Sequence, residues 1–362
     1  MLPEPITLEQ LGWSPSWDEE FARFRVAGLE PGRVAVEDKH QYCVHTPQGP
    51  LTGLVAGKLL HESAAPAELP KVGDWVALSV MPNEAKAVIH HVLPRQTKFS
   101  RKVPGRDTEE QVLVANVDVV FLVQALDESF RPRLIERQLV MIHESGSRPV
   151  VVLNKADLCP DVERNLETAR HAAGGAPVVV VSAKTGEHID QLKRIIHPGE
   201  TVVFIGPSGV GKSSLINSLC GEEVQATTEV RVSDSKGRHT TTWRELILLP
   251  QGGLVIDTPG MREFQLWLAG QGVHEAFSDF ETWATHCRFR DCSHTHEAGC
   301  AVKAALARGE LPSERYENFL KLQRELAYLD EAQQQRTWLD RKRKTKAAQR
   351  AFNRIKRRDW EH

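Results

Sequence analysis

Hydrophobic and polar positions fall into three successive textures along the chain. From Gly32 to about Lys98, short β-rich stretches are separated by turn residues. Arg33–Val36, Tyr42–Val44, Leu51–Val55, Asp74–Leu78 and Ala87–Ile89 are five predicted strands, with no convincing helix between them. Strands so closely spaced predict a small barrel of the oligonucleotide-binding kind, and an SH3-like barrel would show the same pattern. Leu93-Pro94-Arg95 and the basic Lys98–Lys102 read as a linker. From about Val112 the texture changes. Val119–Val123, Val150–Leu153, Val178–Val181, Thr201–Ile205 and Leu254–Ile256 are unbroken apolar runs, with amphipathic helices predicted over Pro132–Glu144 and Val162–Ala172. Strands apolar on both faces and separated by helices predict a parallel sheet. After about Glu275 the chain turns to His, Cys and helix formers, where Phe319, Leu322, Leu326 and Leu329 mark one helical face. Ahead of the barrel, Leu11, Trp13, Trp17, Phe21 and Phe24 carry enough apolar surface to dock but no legible chemistry.

The chemistry sits where apolar strands end. Gly206-Pro207-Ser208-Gly209-Val210-Gly211-Lys212-Ser213-Ser214 follows one such strand and precedes the helical Leu215–Leu219. Gly, four residues, then Gly-Lys-Ser is the phosphate-binding loop pattern. Its glycines let backbone N–H groups turn inward at a helix N-terminus that favours anions. Lys212 is expected at the β- and γ-phosphates, in a catalytic role, and the Ser213 hydroxyl on magnesium. Asp257-Thr258-Pro259-Gly260 follows another strand, so Asp257 is expected to hold magnesium through water and the Gly260 N–H to approach the γ-phosphate.

Asn154-Lys155-Ala156-Asp157 follows a third strand. A carboxylate there accepts two N–H bonds from guanine, a donor pair that adenine lacks, so Asp157 is expected to select GTP over ATP. Lys155 is expected along the base and Asn154 as a brace between loops. Ser182-Ala183-Lys184 is the companion loop at the guanine carbonyl. The guanine-reading loops precede the phosphate loop here, whereas most GTPases carry the phosphate loop first. The same sheet tolerates such circular permutation because domain termini lie close together. In this order, the chain after Gly260 runs directly into the C-terminal part.

Cys287-x4-Cys292-x-His294-x5-Cys300 offers three thiolates and an imidazole. Four such donors with no spare position predict one closed, structural zinc per chain, with His286 and His296 as alternative fourth ligands. The other cysteines, Cys43, Cys159 and Cys220, are scattered, which suits a reducing compartment rather than a disulfide framework.

Composition narrows the classes further. Hydrophobic residues at 41% and charged residues at 26% are an ordinary globular balance. No apolar run approaches a bilayer span, and the N-terminus carries no secretory signal, so a cytoplasmic protein without a membrane partner is expected. The net charge of −2 hides an asymmetry. Eleven Lys and Arg fall between Arg336 and Asp359 against two aspartates, a local charge of +9. A basic tail on an acidic body suits a polyanion partner.

A small barrel, a permuted GTPase and a Cys-Cys-His-Cys module, in that order, resemble the ribosome small-subunit-dependent GTPases of the RsgA/YjeQ family. Leu69–Val76, Lys98–Arg101, Gly237–Thr242, Asp257–Phe264 and Cys287–Cys292 carry the resemblance, which spans roughly residues 30 to 330. It implies a monomeric GTP hydrolase acting late in small-subunit maturation, binding ribosomal RNA in its GTP state, with magnesium beside GTP or GDP. The expected division is an extension (1–28), an OB-fold-like barrel (29–98), a circularly permuted GTPase domain (99–274), a zinc-binding helical domain (275–335) and a basic tail (336–362).

Met261 stands where Ras-like enzymes place a water-orienting glutamine. Arg262 and Glu263 are polar substitutes. His239, beside Thr240 and Thr241, where the magnesium-sensing switch threonine is expected, is a better one, because imidazole titrates near neutrality. Two other classes share parts of this pattern: a GTP-dependent metallochaperone carrying its cargo on the Cys/His cluster, and an RNA-binding module with a degenerate nucleotide site. Every phosphate- and guanine-contacting residue is present, against the second.

Overall fold

The computed structural model of the protein describes residues 6–38, 41–63, 65–103, 106–221, 244–258, 271–290 and 292–325, with isolated positions at 327, 331, 338 and 342. Helix α1 (Pro15–Val26) leads into strands β1 (Glu30–Asp38), β2 (Gln41–Thr46) and β3 (Gly49–Val55), a short α2 (Gly57–Glu62), then β4 (Trp75–Val80) and β5 (Lys86–Val92). The five strands close in the order β1-β2-β3-β5-β4, with β4 returning to pair with β1. The β3–β5 pairing is parallel and the rest are antiparallel. This is the expected closed barrel. Closure removes sheet edges and buries Val34, Val44, Val76, Leu78 and Ile89 completely.

The extension docks on this barrel. Trp13 meets Trp75 edge-on with ring centroids 4.7 Å apart, and Trp17, Phe21 and Phe24 are buried alongside. Trp75 is 1% exposed, which makes it core rather than a stacking platform. Arg33 ties three parts of the chain together. Its buried guanidinium donates to the carbonyls of Leu11 and Asn116 and to Thr201 Oγ1. Burial pulls the Arg33 pKa down to about 10.

The segment read as a linker is instead the start of a hairpin. Strand β6 (Lys98–Val103) pairs antiparallel with β7 (Arg106–Ala115). A two-stranded ribbon with a polar face lacks the apolar alternation that marks a half-buried strand, and pairing with β7 defines it.

The α/β part follows the predicted runs: β8 (Val119–Ala125), α3 (Pro132–Ser145), β9 (Arg148–Asn154), α4 (Val162–Ala173), β10 (Val178–Val180), α5 (Ile189–Ile195), β11 (Thr201–Ile205), α6 (Lys212–Cys220), β12 (Glu245–Leu248) and β13 (Leu254–Asp257). The sheet order is β10-β9-β8-β11-β13-β12, parallel except for β12. The seven-residue α5 and the four-residue antiparallel β12 are too short for a periodic pattern to mark them in isolation. A single register point, Val36 opposite Glu245, joins β12 to β1, making the barrel and this sheet continuous.

The C-terminal part holds α7 (Gln271–Ala276), α8 (Ser278–Ala284), α9 (Ala301–Ala307) and α10 (313–325). Phe319 and Leu322 are buried as the helical stripe predicted; Leu326 and Leu329 lie outside the described residues.

Candidate functional site: a phosphate loop, a guanine-reading pair of loops and a Cys/His cluster

The phosphate loop turns from β11 into α6 through three glycines of positive φ, +145° at Gly206, +81° at Gly209 and +96° at Gly211. A Cβ on Gly206 would overlap the Val123 carbonyl, and one on Gly211 would overlap Asn154 Nδ2. Both positions therefore require glycine for space as well as for backbone conformation. Lys212 folds back over the loop, donating to the carbonyls of Gly206 and Pro207 at 2.8 Å each. Ser208 and Gly209 are exposed at the tip, Val210 is buried beneath it, and Ser213 and Ser214 are half-buried in the first turn of α6. That helix start has no side-chain cap and carries no acidic residue in its first turn.

Asp257 is 8% exposed and ends β13, the parallel neighbour of β11. A hydroxyl from Ser213 and a carboxylate from Asp257 are hard oxygen donors of the kind that would hold magnesium, which would supply positive charge beside the phosphates. His239, Thr240, Thr241 and Gly260 lie outside the described residues, as do Met261, Arg262 and Glu263.

Asn154 is 2% exposed at the end of β9. Its Nδ2 donates to the Val210 carbonyl at 2.8 Å, and its Oδ1 accepts from the Ala183 N–H at 3.0 Å. One side chain thus joins the phosphate loop to both guanine loops, the bracing role read from the sequence. Asp157 presents an exposed carboxyl from the turn Ala156–Leu158, and its Oδ1 accepts from the Ser182 hydroxyl at 2.6 Å. Ser182 is fully buried and also receives the Thr185 N–H, so this contact fixes the carboxyl's direction. Lys184 is exposed beside it.

Lys155 adopts the left-handed region at φ +66°. Its ammonium meets Asp127 Oδ2 at 2.9 Å. Asp127, just beyond β8, was not singled out by sequence. Its signal is a weaker form of the one that marked Asp257, an acid two residues beyond a buried apolar strand. The Ser129 hydroxyl, then the Lys155 ammonium, pull the Asp127 pKa down to about 2.

Away from the nucleotide loops, Cys287, Cys292, His294 and Cys300 place their ligand atoms within 4.8 Å of one another. Cys287 Sγ lies 3.7 Å from His294 Nδ1 and 3.9 Å from Cys300 Sγ, and Cys300 Sγ lies 3.5 Å from His294 Nδ1. A tetrahedral zinc with Zn–S of about 2.3 Å requires S···S of about 3.8 Å and S···N of about 3.6 Å. The donors fit. The N–H groups of Ala301 and Lys303 point at Cys287 and Cys300, support that favours thiolates. Burial and the neighbouring sulfurs push the Cys292 thiol up to about 12 in the absence of a cation. The fold selects His294 as fourth donor; His286 is exposed and turned toward Thr282 and Thr285, and His296 is exposed.

This cluster is mounted on the α/β part by Arg315 of α10, which is 5% exposed. It donates to Glu136 of α3 at 2.8 Å and to both carboxylate oxygens of Asp279 on α8. No sequence signal marks this arginine.

Comparison with known proteins gives the same picture. The family profile described as RsgA GTPase matches residues 92–267. An ABC transporter profile also matches 189–354, a stretch that contains the phosphate loop common to P-loop NTPases. The small ribosomal subunit biogenesis GTPase RsgA of Opitutus terrae is 46% identical, covering 89% of this chain and 90% of that one. RsgA 2 of Lactiplantibacillus plantarum is 43% identical over 82% and 83%. Among solved structures, YjeQ from Thermotoga maritima superposes with a TM-score of 0.64 at 29% identity, covering 83% of this chain and 99% of its own. YloQ, a circularly permuted GTPase, shares the fold with a TM-score of 0.61 at 23% identity, covering 83% and 95%.

Proposed function

This chain belongs to the RsgA GTPase family, and from that premise we propose that it hydrolyses GTP in a cycle coupled to late maturation of the small ribosomal subunit. The observation that carries the reading is Asn154, whose two hydrogen bonds hold the phosphate loop and the guanine loops as one site. In this reading, Asp157 selects guanine, Lys155 lines the base, Lys212 and the loop N–H groups of 206–214 bind phosphates, and Ser213, Asp257 and Thr240 or Thr241 hold magnesium. Ser182, Ala183 and Lys184 close over the guanine carbonyl, and Gly260 approaches the γ-phosphate. His239 orients the attacking water in place of the absent glutamine, because Met261 offers only a thioether.

The barrel of 29–98 and the basic tail of 336–362 grip ribosomal RNA in the GTP state, 99–274 performs hydrolysis, and 275–335 is a module stabilised by one zinc. Such a metal supplies on the order of 10 kcal/mol to a segment with little core of its own. Among the described residues no helix is long and apolar enough to cross a membrane. The protein acts as a cytoplasmic monomer in this account. A metallochaperone is not favoured, since four converging donors leave no open position for handover.

The test is nucleotide turnover by the purified chain with and without small ribosomal subunits. Slow GTP hydrolysis, accelerated by subunits, with ATP inert, is expected. Equal hydrolysis of ATP, or indifference to subunits, would overturn the reading.

A further inference from the structure

The guanine-reading loop contains a residue in a strained conformation. Lys155 is a non-glycine residue at φ +66°, a conformation that persists only where the surroundings over-determine it. Two ties do so. The following N–H, of Ala156, donates to the Val181 carbonyl at 3.2 Å, and the Lys155 ammonium ends on Asp127 Oδ2 at 2.9 Å. Asp127 is itself held. Its Oδ1 accepts from the Ser129 N–H at 2.9 Å and from the Ser129 hydroxyl. The strand ends beneath are locked in register, Ala125 opposite Asn154, and the Leu126 N–H donates to the Asn154 carbonyl at 2.8 Å. Asp127 and Lys155 are each 29% exposed, shielded enough for the pair to matter and open enough to reach a ligand.

We propose that Asp127 is a positioning residue of the nucleotide site, holding the Lys155 side chain as a pre-set wall for the guanine base. The inference rests on the GTPase reading above. Four methylenes pinned at both ends form a flat apolar strip, whereas an untethered lysine would have to be ordered at each binding event. A fixed wall avoids that entropy cost. Asp127 stays ionised throughout the neutral range, so the tether does not switch with pH. The contact is to the face of the base, remote from the exocyclic amine read by Asp157. Losing it therefore weakens all purine nucleotides that use the loop and does not change their ranking.

The experiment measures GDP, GTP and IDP affinities for the full chain and for Asp127→Ala, Asp127→Asn, Lys155→Met and the Asp127→Ala/Lys155→Met double variant. Thermal melting of each protein is measured alongside. Asp127→Ala is expected to weaken GDP and GTP about fivefold, the size of a partly shielded ion pair. The GDP-to-IDP ratio should stay constant, and in turnover the loss should fall on KM rather than kcat. Asp127→Asn, which keeps the Ser129 acceptor but not the charge, should show most of the same loss. The double variant should be no weaker than Lys155→Met, since Asp127 acts through that lysine. Additive losses in the double variant, a changed GDP-to-IDP ratio, or unaltered affinity in a folded Asp127→Ala would each overturn the proposal. Failure of the unaltered chain to bind guanine nucleotides would overturn the GTPase reading itself, a separate outcome.

Discussion

Arg315 and Glu136 form a 2.8 Å ion pair with both side chains about 95% buried, although they lie 179 residues apart on helices of different parts of the chain. Glu136 projects from α3, Arg315 from α10, and Asp279 of α8 completes the cluster. Asn318 also donates to Glu136. The Cys/His module is thereby fixed to the helix that packs on β8 and β9, the strands whose ends carry Asp127 and Asn154.

Breaking this cluster should be costly and pH-dependent. Arg315→Met leaves Glu136 and Asp279 without their cation and should destabilise the chain by about 3 kcal/mol at neutral pH. Burial already holds the Glu136 pKa above the ordinary carboxylate value, with Arg315 opposing it, so removing Arg315 raises it further. A carboxyl whose pKa is raised by folding gains a proton on folding. Its contribution is fully present below the unfolded pKa and is lost as pH rises through the folded one. Denaturation at several pH values should show the variant's deficit shrinking as pH falls from neutral toward the ordinary carboxylate range. A deficit that grows on acidification would contradict the buried-carboxylate account.

Guanine selection is assigned to Asp157. Asp157→Asn should lower GTP affinity by roughly ten- to a hundredfold, as expected for a lost charged hydrogen bond, and raise affinity for xanthosine nucleotides. Competition binding with GTP and XTP measures both. A variant still preferring GTP would assign selection elsewhere.

Gly211→Ala should disable the site through packing. The added methyl would strike Asn154 Nδ2, displacing the side chain that joins the phosphate and guanine loops. Gly209→Ala is the control. Its φ of +81° imposes backbone strain, but its Cβ meets nothing within 4 Å. Nucleotide titration should show a much larger loss for Gly211→Ala; equal losses would mean that backbone strain alone matters.

Elemental analysis of protein purified without added metal should find one zinc per chain. Cys292→Ser should lower that content and make the C-terminal module protease-sensitive. Nucleotide affinity should hold, because the cluster contributes no atom to the phosphate or guanine loops. Metal-free protein with an intact, protease-resistant module would remove the structural-zinc reading.

The basic tail should govern salt dependence. Deleting Arg341 onward removes ten of the eleven basic residues between Arg336 and Asp359. Small-subunit co-sedimentation should then lose several units of its salt slope, since fewer counterions are released, while nucleotide affinity is unaffected. Identical salt slopes for both proteins would assign the RNA grip to the barrel alone.

The sequence by itself determined the strand-end loops and their permuted order. A phosphate or guanine loop is a local object, whose glycines, lysine and carboxylate must stand at fixed spacing behind an apolar strand. Spacing also marked three cysteines as a converging set of donors that could hold a metal. Long-range contacts left no such periodic trace. Asp127 lies 28 residues from Lys155, Arg315 lies 179 from Glu136, and Arg33 lies 168 from Thr201. Each is an ordinary charged residue in its own neighbourhood, and its partner is decided by strand order and helix packing. The choice of His294 over His286 and His296 was likewise settled by backbone direction, because three nearby imidazoles are equivalent in spacing and only one converges on the sulfurs. The β6–β7 hairpin shows the same limit: a ribbon with a polar face becomes a strand through its partner's hydrogen bonds, which local hydrophobicity does not encode.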